Sequence, residues 1–242
     1  MNKAVILLIA LSMILSACAL PVRTTQIRGS GNVITETRQV SNFNRLELTG
    51  IGTLVILQGE EESLEISAED NILSKIQTRV MGNTLEIGFD EFINITPIKE
   101  IIYTLRVKNL EGISTSGVGV VQADSITGDH LEIEISGAGG VNIKELTAKD
   151  LDVQISGSGN FYLAGIVASQ QVELSGFGNY RAGDLRSEDA QIEISGTGNA
   201  TIWVTHSIEA EISGLGNLNY YGNPNVSQEV NGLGNANPLG EK

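Results

Sequence analysis

Apolar and polar residues alternate along most of the chain, and glycine-rich corners interrupt the alternation at regular intervals. In one such unit, Leu151, Val153 and Ile155 alternate with polar residues, and the corner SGSGN follows directly. Residues two apart in a strand point to the same face, so the pattern predicts a strand with one apolar and one polar face. The paired glycines permit a sharp turn, and we expect positive φ angles at Gly157 and Gly159.

The corner recurs with a period of 18 to 20 residues. A strand–corner–strand unit of this length cannot bury its apolar face alone, and stacked units share a continuous core. We therefore predict an all-β fold, a parallel β-helix (solenoid) whose rungs lie about 4.8 Å apart. A propeller blade needs about forty residues and a sandwich has less uniform spacing, so both fit less well. The copies begin at Ile135, Ile155, Leu174, Ile194, Ile212 and Val230, with a degenerate copy at Thr115.

The part of the chain before these repeats is less regular. Alternation predicts strands in NVITETRQV, NRLELTG, TLVILQG and SLEISAED, and over residues 84–89 and 101–107. Asp70 and Asn71 have the character of a helix cap, so we expect a short helix over 72–80.

The first residues have the pattern of a bacterial lipoprotein signal peptide. Lys3 precedes an apolar run, Ala4 to Leu15, which is shorter than the roughly 20 residues of a membrane span. The run ends in LSAC, which matches the lipobox and predicts cleavage before Cys18 and a diacylglycerol on its thiol. An ordinary cleavage site with an incidental cysteine is the alternative. We divide the chain into a signal peptide (1–17), a tether (18–26) and a solenoid domain (27–242) with an irregular part (27–110) and regular repeats (111–242).

The chain is acidic, with a formal charge of −14. This charge repels phosphate backbones, so we expect no nucleic-acid partner. The single cysteine excludes a Cys-based metal cluster, and the two histidines, His130 and His206, make poor zinc ligands without cysteines. We therefore expect no metal and no cofactor. The expected partners are the membrane, through lipid on Cys18, and a glycan or an envelope protein.

The repeat places polar residues in two outward columns. Like charges one rung apart repel by roughly 0.9 kcal/mol in water, which a solvated face tolerates. The columns are candidates for binding a cation or a basic partner, and a solubilising face is the more common alternative. One column holds Glu134, Gln154, Glu173, Glu193, Glu211 and Glu229, and the other holds Glu132, Asp152, Gln171, Gln191, Glu209 and Ser227.

Two further sets of residues recur or cluster in the repeats. Asparagines at one register after each corner predict a hydrogen-bonded ladder along the solenoid. Aromatic residues crowd the last rungs, where we expect them to fill the interior and cap its end, although exposed rings could stack on sugars. The asparagines are Asn160, Asn179, Asn199, Asn217 and Asn235, and the aromatics are Phe161, Tyr162, Phe177, Tyr180, Trp203, Tyr220 and Tyr221.

Catalytic chemistry has weak support in this sequence. Equivalent serines in five corners indicate turn chemistry, because a catalytic trio needs a base and an orienting group near one particular serine. A pair of carboxylates on the outer face remains open as an acid/base site. The serines are Ser136, Ser156, Ser175, Ser195 and Ser213, and the carboxylate candidates are Asp150 with Asp152, or Asp184 with Glu188 and Asp189.

The ordered set of motifs resembles a known family. GSGN at Gly29, then NFNRLELTGIGTLVILQG, an AEDNIL segment and repeated SGxGN corners are similar to the putative auto-transporter adhesin, head GIN domain family. The resemblance implies a right-handed β-helix in an exported protein, and it carries over no catalytic residue. With the lipobox, it predicts a non-catalytic, lipid-anchored envelope protein at the outer membrane of a Gram-negative bacterium, acting as an adhesin, surface-binding module or scaffold. A carbohydrate-binding or carbohydrate-active β-helix (lyase or hydrolase) is the alternative.

Overall fold

The computed structural model describes residues 25–90 and 92–242, which form nineteen strands and one short helix. Seventeen strands belong to one continuous sheet that winds into a solenoid, and β1 and β8 form a separate parallel pair. The predicted all-β parallel solenoid is therefore confirmed. The elements are β1 Thr25–Arg28, β2 Val33–Arg38, β3 Arg45–Leu48, β4 Ile51–Gln58, β5 Ser63–Glu69, α1 Asp70–Leu73, β6 Ile76–Met81, β7 Thr84–Phe89, β8 Ile93–Thr96, β9 Ile102–Val107, β10 Gly112–Thr115, β11 Val118–Thr127, β12 His130–Ile135, β13 Ala138–Ile155, β14 Ser158–Leu174, β15 Asn179–Ile194, β16 Ala200–Ile212, β17 Leu218–Tyr221, β18 Asn225–Val230 and β19 Ala236–Gly240.

Successive rungs pair in parallel, with steps of 20 residues between β10 and β12 and 18 between β16 and β18. The first half of β13 continues the sheet of β11, and its second half continues the sheet of β12. The solenoid thus has one long face built from the segments that precede each corner. We call it face A, and it comprises residues 45–48, 112–115, 130–135, 150–155, 169–174, 189–194, 207–212 and 225–230.

The alternating apolar residues of each rung fill the interior, as the sequence predicts. Leu131, Ile133 and Ile135 are almost completely buried. The core also holds a polar network, in which the Tyr180 hydroxyl donates to Gln170 Oε1 (3.0 Å) and Gln170 Nε2 donates to Ser187 Oγ (2.7 Å). These mutual hydrogen bonds offset the cost of burying the polar groups.

The corner glycines are required because the backbones of adjacent rungs approach closely. A Cβ at Gly157 would lie 1.9 Å from the carbonyl oxygen of Gly137, and a Cβ at Gly159 would lie 1.4 Å from that of Gly139. Gly159 has a φ of 153°, which confirms the predicted positive angle. The same prediction is wrong for Gly157, because the neighbouring rung and not the turn excludes a side chain there.

The predicted asparagine ladder is confirmed along the rungs after the corners. Asn199 Nδ2 donates to Asn179 Oδ1 (3.4 Å), and Asn217 Nδ2 donates to Asn199 Oδ1 (3.1 Å). The backbone N–H of Asn217 also donates to Asn199 Oδ1, at 2.9 Å. Each amide therefore ties a corner to the next one and helps to fix the register.

Antiparallel strands close the N-terminal end of the solenoid. β2 pairs with β5, β5 with β9, and β6 with β7. The predicted helix over 72–80 is wrong, since α1 ends at Leu73 and β6 begins at Ile76. The β-branched residues Thr78 and Val80 fit a strand better than a helix, and the partner β7 satisfies the backbone of this segment.

A buried carboxylate joins three segments at this end. Glu69, at the end of β5, accepts backbone hydrogen bonds from Gly31 (2.5 Å), Ile98 (2.9 Å) and Lys99 (3.3 Å). Burial raises the pKa of Glu69, but the three hydrogen bonds outweigh it, so the pKa lies below its usual range. A Cβ at Gly29 would lie 1.9 Å from Glu69 Oε2, which explains the glycine there.

The residues beside Glu69 extend this connection. Ser30 Oγ donates to Asp70 Oδ1 (2.5 Å), and Asn32 Nδ2 donates to Asp70 Oδ2 (3.0 Å). The backbone N–H of Ser30 donates to Asn71 Oδ1 at 3.0 Å. Hydrogen bonds therefore connect the GSGN and AEDN motifs. We call residues 29–32 and 69–71 the Glu69 cluster.

Candidate functional site

Face A carries the two predicted polar columns. The pairing register sets Glu134 beside Gln154 and Gln154 beside Glu173, one rung apart, and the series continues to Glu229. At the other end Ser114 pairs with Glu47, and Glu47 pairs with Glu86, so the column is longer than predicted. The carboxylates from position 134 onward in this column are exposed.

The second column begins with an ion pair. Arg45 Nη2 lies 2.5 Å from Glu132 Oε2 and spans the rung between β3 and β12. Asp152, Gln171, Gln191, Glu209 and Ser227 follow in register. A half-exposed pair of this kind contributes little to stability, so the column remains mainly a solvated acidic surface.

A third column on face A was not predicted from the sequence. This column lies in register at the first residue of successive face A segments and lines a groove of about 500 Å³; its residues are His130, Asp150, Ser169, Asp189 and Ser207. Several of its polar groups are hydrogen-bonded to one another. Ser169 Oγ donates to Asp150 Oδ1 (2.7 Å), and Ser207 Oγ donates to Asp189 Oδ1 (2.5 Å).

The structure brings together only some of the predicted acid/base candidates. His130 Nε2 lies 3.8 Å from Asp152 Oδ2, and Asp150 and Asp189 line the same groove. Hydrogen bonds from Ser207 and from His206, whose Nδ1 is 2.7 Å away, hold the pKa of Asp189 below its usual range. Such a carboxylate is ionised at neutral pH, whereas a general acid needs a raised pKa.

The other candidates lie away from this groove. Asp184 forms an ion pair with Lys242 outside the groove, and Glu188 is exposed to solvent. The corner serines follow the last residue of each face A strand, while His130 stands at the start of β12. Base and nucleophile are thus separated by the length of a strand, which supports the turn role expected for the serines.

The aromatic residues have three different environments. Phe161 and Tyr180 are buried, as predicted for the interior. The prediction is wrong for Tyr162, which is 43% exposed on an outward position, and for Phe177, which is 74% exposed at a corner. The guanidinium of Arg181, one rung on, lies 5.1 Å from the centre of the Tyr162 ring.

Phe177 belongs to a ridge of corner side chains next to the acidic columns. The residue between the two glycines of each corner points outward, and this position is apolar in several rungs. Exposed examples are Val118, Phe177, Leu215 and Leu233, the last of which is 82% exposed. These exposed apolar side chains follow the ends of the face A segments, and a row of them is a candidate surface for contact with a partner.

The irregular N-terminal part forms a cleft of about 690 Å³. Its walls come from β3, β6, β7, β8 and two corners, and it includes Gln77, Arg79, Glu86, Phe89 and Asp90. Arg79 Nε lies 2.5 Å from Glu86 Oε2, and Gln77 hydrogen-bonds Asp90. The cleft therefore gathers unlike polar, charged and aromatic groups, in contrast to the repeated columns of face A.

Neither a membrane-spanning helix nor a metal-binding group is present in the described part of the chain. Within residues 25–90 and 92–242, no helix has the length and apolar character needed to cross a membrane. In the same residues no three His, Cys, Asp or Glu side chains are grouped to hold a metal ion. Cys18, the predicted lipidation site, lies outside the described residues.

Comparison with known proteins agrees with this architecture. Residues 42–224 match the putative auto-transporter adhesin, head GIN domain family. A crystal structure of a putative adhesin from Bacteroides fragilis has 33% sequence identity and a TM-score of 0.85, and the match covers 88% of this chain and 100% of that one. A comparison with curated protein sequences finds no match.

Two more distant structures share the fold. A putative adhesin from Parabacteroides merdae is 23% identical with a TM-score of 0.70, and the match covers 88% of this chain and 99% of that one. A putative lipid binding protein from Parabacteroides distasonis is 20% identical with a TM-score of 0.67, over 89% of this chain and 100% of that one.

Proposed function

Because the chain belongs to the putative auto-transporter adhesin, head GIN domain family, we propose that it is a lipid-anchored, non-catalytic envelope protein that binds a partner through face A. The likeness to a putative adhesin of 33% identity supports a role in binding. Export to the cell surface or envelope agrees with that likeness, and we place the lipid anchor at the outer membrane of a Gram-negative bacterium.

The observation that carries this proposal is the repetition of like groups. Face A offers a carboxylate or amide at the same position in every rung from β12 to β16, beside exposed apolar corner residues. Many weak, equally spaced contacts suit a polymeric or extended partner, since linked contacts raise the overall affinity. Catalysis instead needs unlike groups that converge on one reacting atom.

We predict that the acidic column takes part directly in binding. Replacing Glu134, Glu173, Glu193 and Glu211 with glutamine should weaken binding of soluble residues 19–242 to envelope extracts or glycans by about tenfold or more. The matched control replaces Glu60, Glu61, Glu65 and Glu145, which are exposed away from face A, and changes the net charge equally. Equal binding by the two variants would assign the effect to net charge and contradict a specific role for face A.

The anchor has its own test. The Cys18→Ser variant should remain unprocessed or be released from membranes, because a serine cannot carry the thioether-linked lipid. Gel mobility and detergent partitioning of the variant and the unmodified protein measure this. Unchanged mobility together with unchanged partitioning would exclude Cys18 as the lipidated residue.

A sugar-binding role is the second candidate, and the N-terminal cleft is the observation that favours it. Phe89 provides a ring surface, and Gln77, Arg79 and Asp90 provide polar groups around it. Sugar sites commonly combine a stacking ring with planar polar side chains. Incubation with polysaccharides separates the possibilities, because binding without shortening fits a sugar-binding protein and shortening indicates an enzyme.

A further inference from the structure

A cluster of aromatic and polar groups lies where the register between β15 and β16 is interrupted. The pairing shifts between Ala182 and Arg186, so the residues from Gly183 onward bulge from the regular ladder. In the next two rungs Trp203 and Tyr221 are direct pairing partners, which sets their side chains one above the other. Both rings are partly exposed beside the bulge.

An ammonium group already occupies this cluster. Lys242 Nζ lies 5.5 Å from the centre of the Trp203 ring and 5.1 Å from that of Tyr221. It donates to the carbonyl oxygen of Gly183 (2.5 Å) and forms an ion pair with Asp184. The Lys242 side chain is 33% exposed, so the rings and the bulge cover most of it although it follows the last strand.

The surroundings of Lys242 match the chemistry of a primary ammonium ion. Two electron-rich ring faces attract a cation, and the carboxylate and the carbonyl accept two of its three N–H groups. A quaternary ammonium could use the rings but could not donate to Gly183 or Asp184. A Cβ on Gly183 would lie 3.2 Å from Tyr221 Cε2, so glycine at this position keeps the ring and the carbonyl close together.

We propose that Trp203, Tyr221, Asp184 and the Gly183 carbonyl form a lysine-binding site, which Lys242 occupies until a lysine side chain of a protein partner displaces it. The inference rests on the proposed role as a binding protein, and it names one chemical feature of the partner. The net charge of −14 favours the approach of a lysine-bearing surface. A resident lysine lowers the apparent affinity for the partner, because only the fraction with an open site can bind.

Trp203 is the only tryptophan in the chain, so its fluorescence reports on the site directly. In the Lys242→Ala variant we expect a red-shifted emission, since water replaces the lysine over the ring. Acetyl-Gly-Lys-Gly-amide should reverse the shift saturably, whereas the emission of the unmodified protein should stay the same, because there one lysine ammonium only replaces another over the ring. Asp184→Asn, added to Lys242→Ala, should weaken this response.

Matched probes and variants make each outcome decisive. Lys149→Ala removes an exposed lysine that pairs with Asp129 and should leave the emission unchanged. Identical spectra for Lys242→Ala and the unmodified protein, or no saturable response to the lysine peptide, would overturn the proposal. An equal response to tetramethylammonium, or to the same peptide with norleucine in place of lysine, would also overturn it. The test of face A measures partner binding by the glutamate variants and does not use Trp203 fluorescence. Either proposal can therefore fail while the other stands.

Discussion

Replacing Gly159 with valine is expected to destabilise the protein by about 3 kcal/mol or more, because the new side chain meets the backbone of the preceding rung. Its Cβ would lie 1.4 Å from the Gly139 carbonyl oxygen, and the φ of 153° disfavours any β-branched residue. For a chain of this size the melting temperature should fall by about 6–12 °C. Thermal unfolding followed by circular dichroism measures the change.

Two control variants isolate the cause of this loss. Gly59→Val adds the same side chain where nothing lies within 4 Å, and Glu173→Gln alters the exposed acidic column. Both should change the melting temperature by only a few degrees. If Gly159→Val has the same melting temperature as these controls, close stacking of the corners is not the reason that glycine is required at this position.

The Glu69→Gln variant is expected to lower the melting temperature by about 5 °C or more at neutral pH. The amide has one acceptor in place of two, and its NH₂ group would face backbone N–H donors that the carboxylate now satisfies. Glu65→Gln, on an exposed position of the same strand, is the matched control and should have little effect. Similar melting temperatures for the two variants would contradict the assigned role of Glu69.

The same cluster predicts how stability depends on pH. The folded-state pKa values of Glu69 and Asp70 are lowered, the first by backbone hydrogen bonds that outweigh burial and the second by hydrogen bonds from Asn32 and Ser30. Their contribution to the free energy of unfolding is therefore complete above the unfolded-state pKa of about 4, and it is lost as the pH falls through the folded-state pKa. The difference between the unmodified protein and Glu69→Gln should shrink in that acidic range.

The regular repeats could be predicted from the sequence because their pattern is local and periodic. Alternation indicated the inward face of each strand, and the fixed spacing indicated two of the three columns of face A and the asparagine ladder. The contact that requires glycine at position 157 could not be predicted, since its partner, Gly137, lies a full rung away. The helix predicted over 72–80 rested on the local cap signal of Asp70 and Asn71, which did not reveal the pairing of β6 with β7.

The sites that the sequence did not reveal depend on residues brought together across the fold. Glu69 accepts a hydrogen bond from Gly31 in a loop 38 residues earlier, although its place within the AEDN motif was a usable signal. Lys242 contacts Trp203 and Asp184 beside the register shift between Ala182 and Arg186, where β15 pairs with β16. A bulge of this kind has no periodic signature, so residue spacing cannot predict it.

The uniform register of face A means that the size of this surface changes in discrete steps. Each rung of 18 to 20 residues adds one residue to every column and alters neither end of the solenoid. A duplication or deletion of one whole rung would therefore lengthen or shorten the surface while every neighbouring contact is retained. Relatives with different rung numbers would carry the same chemistry at different valence, and their avidity for a repetitive partner would vary without any change in an individual contact.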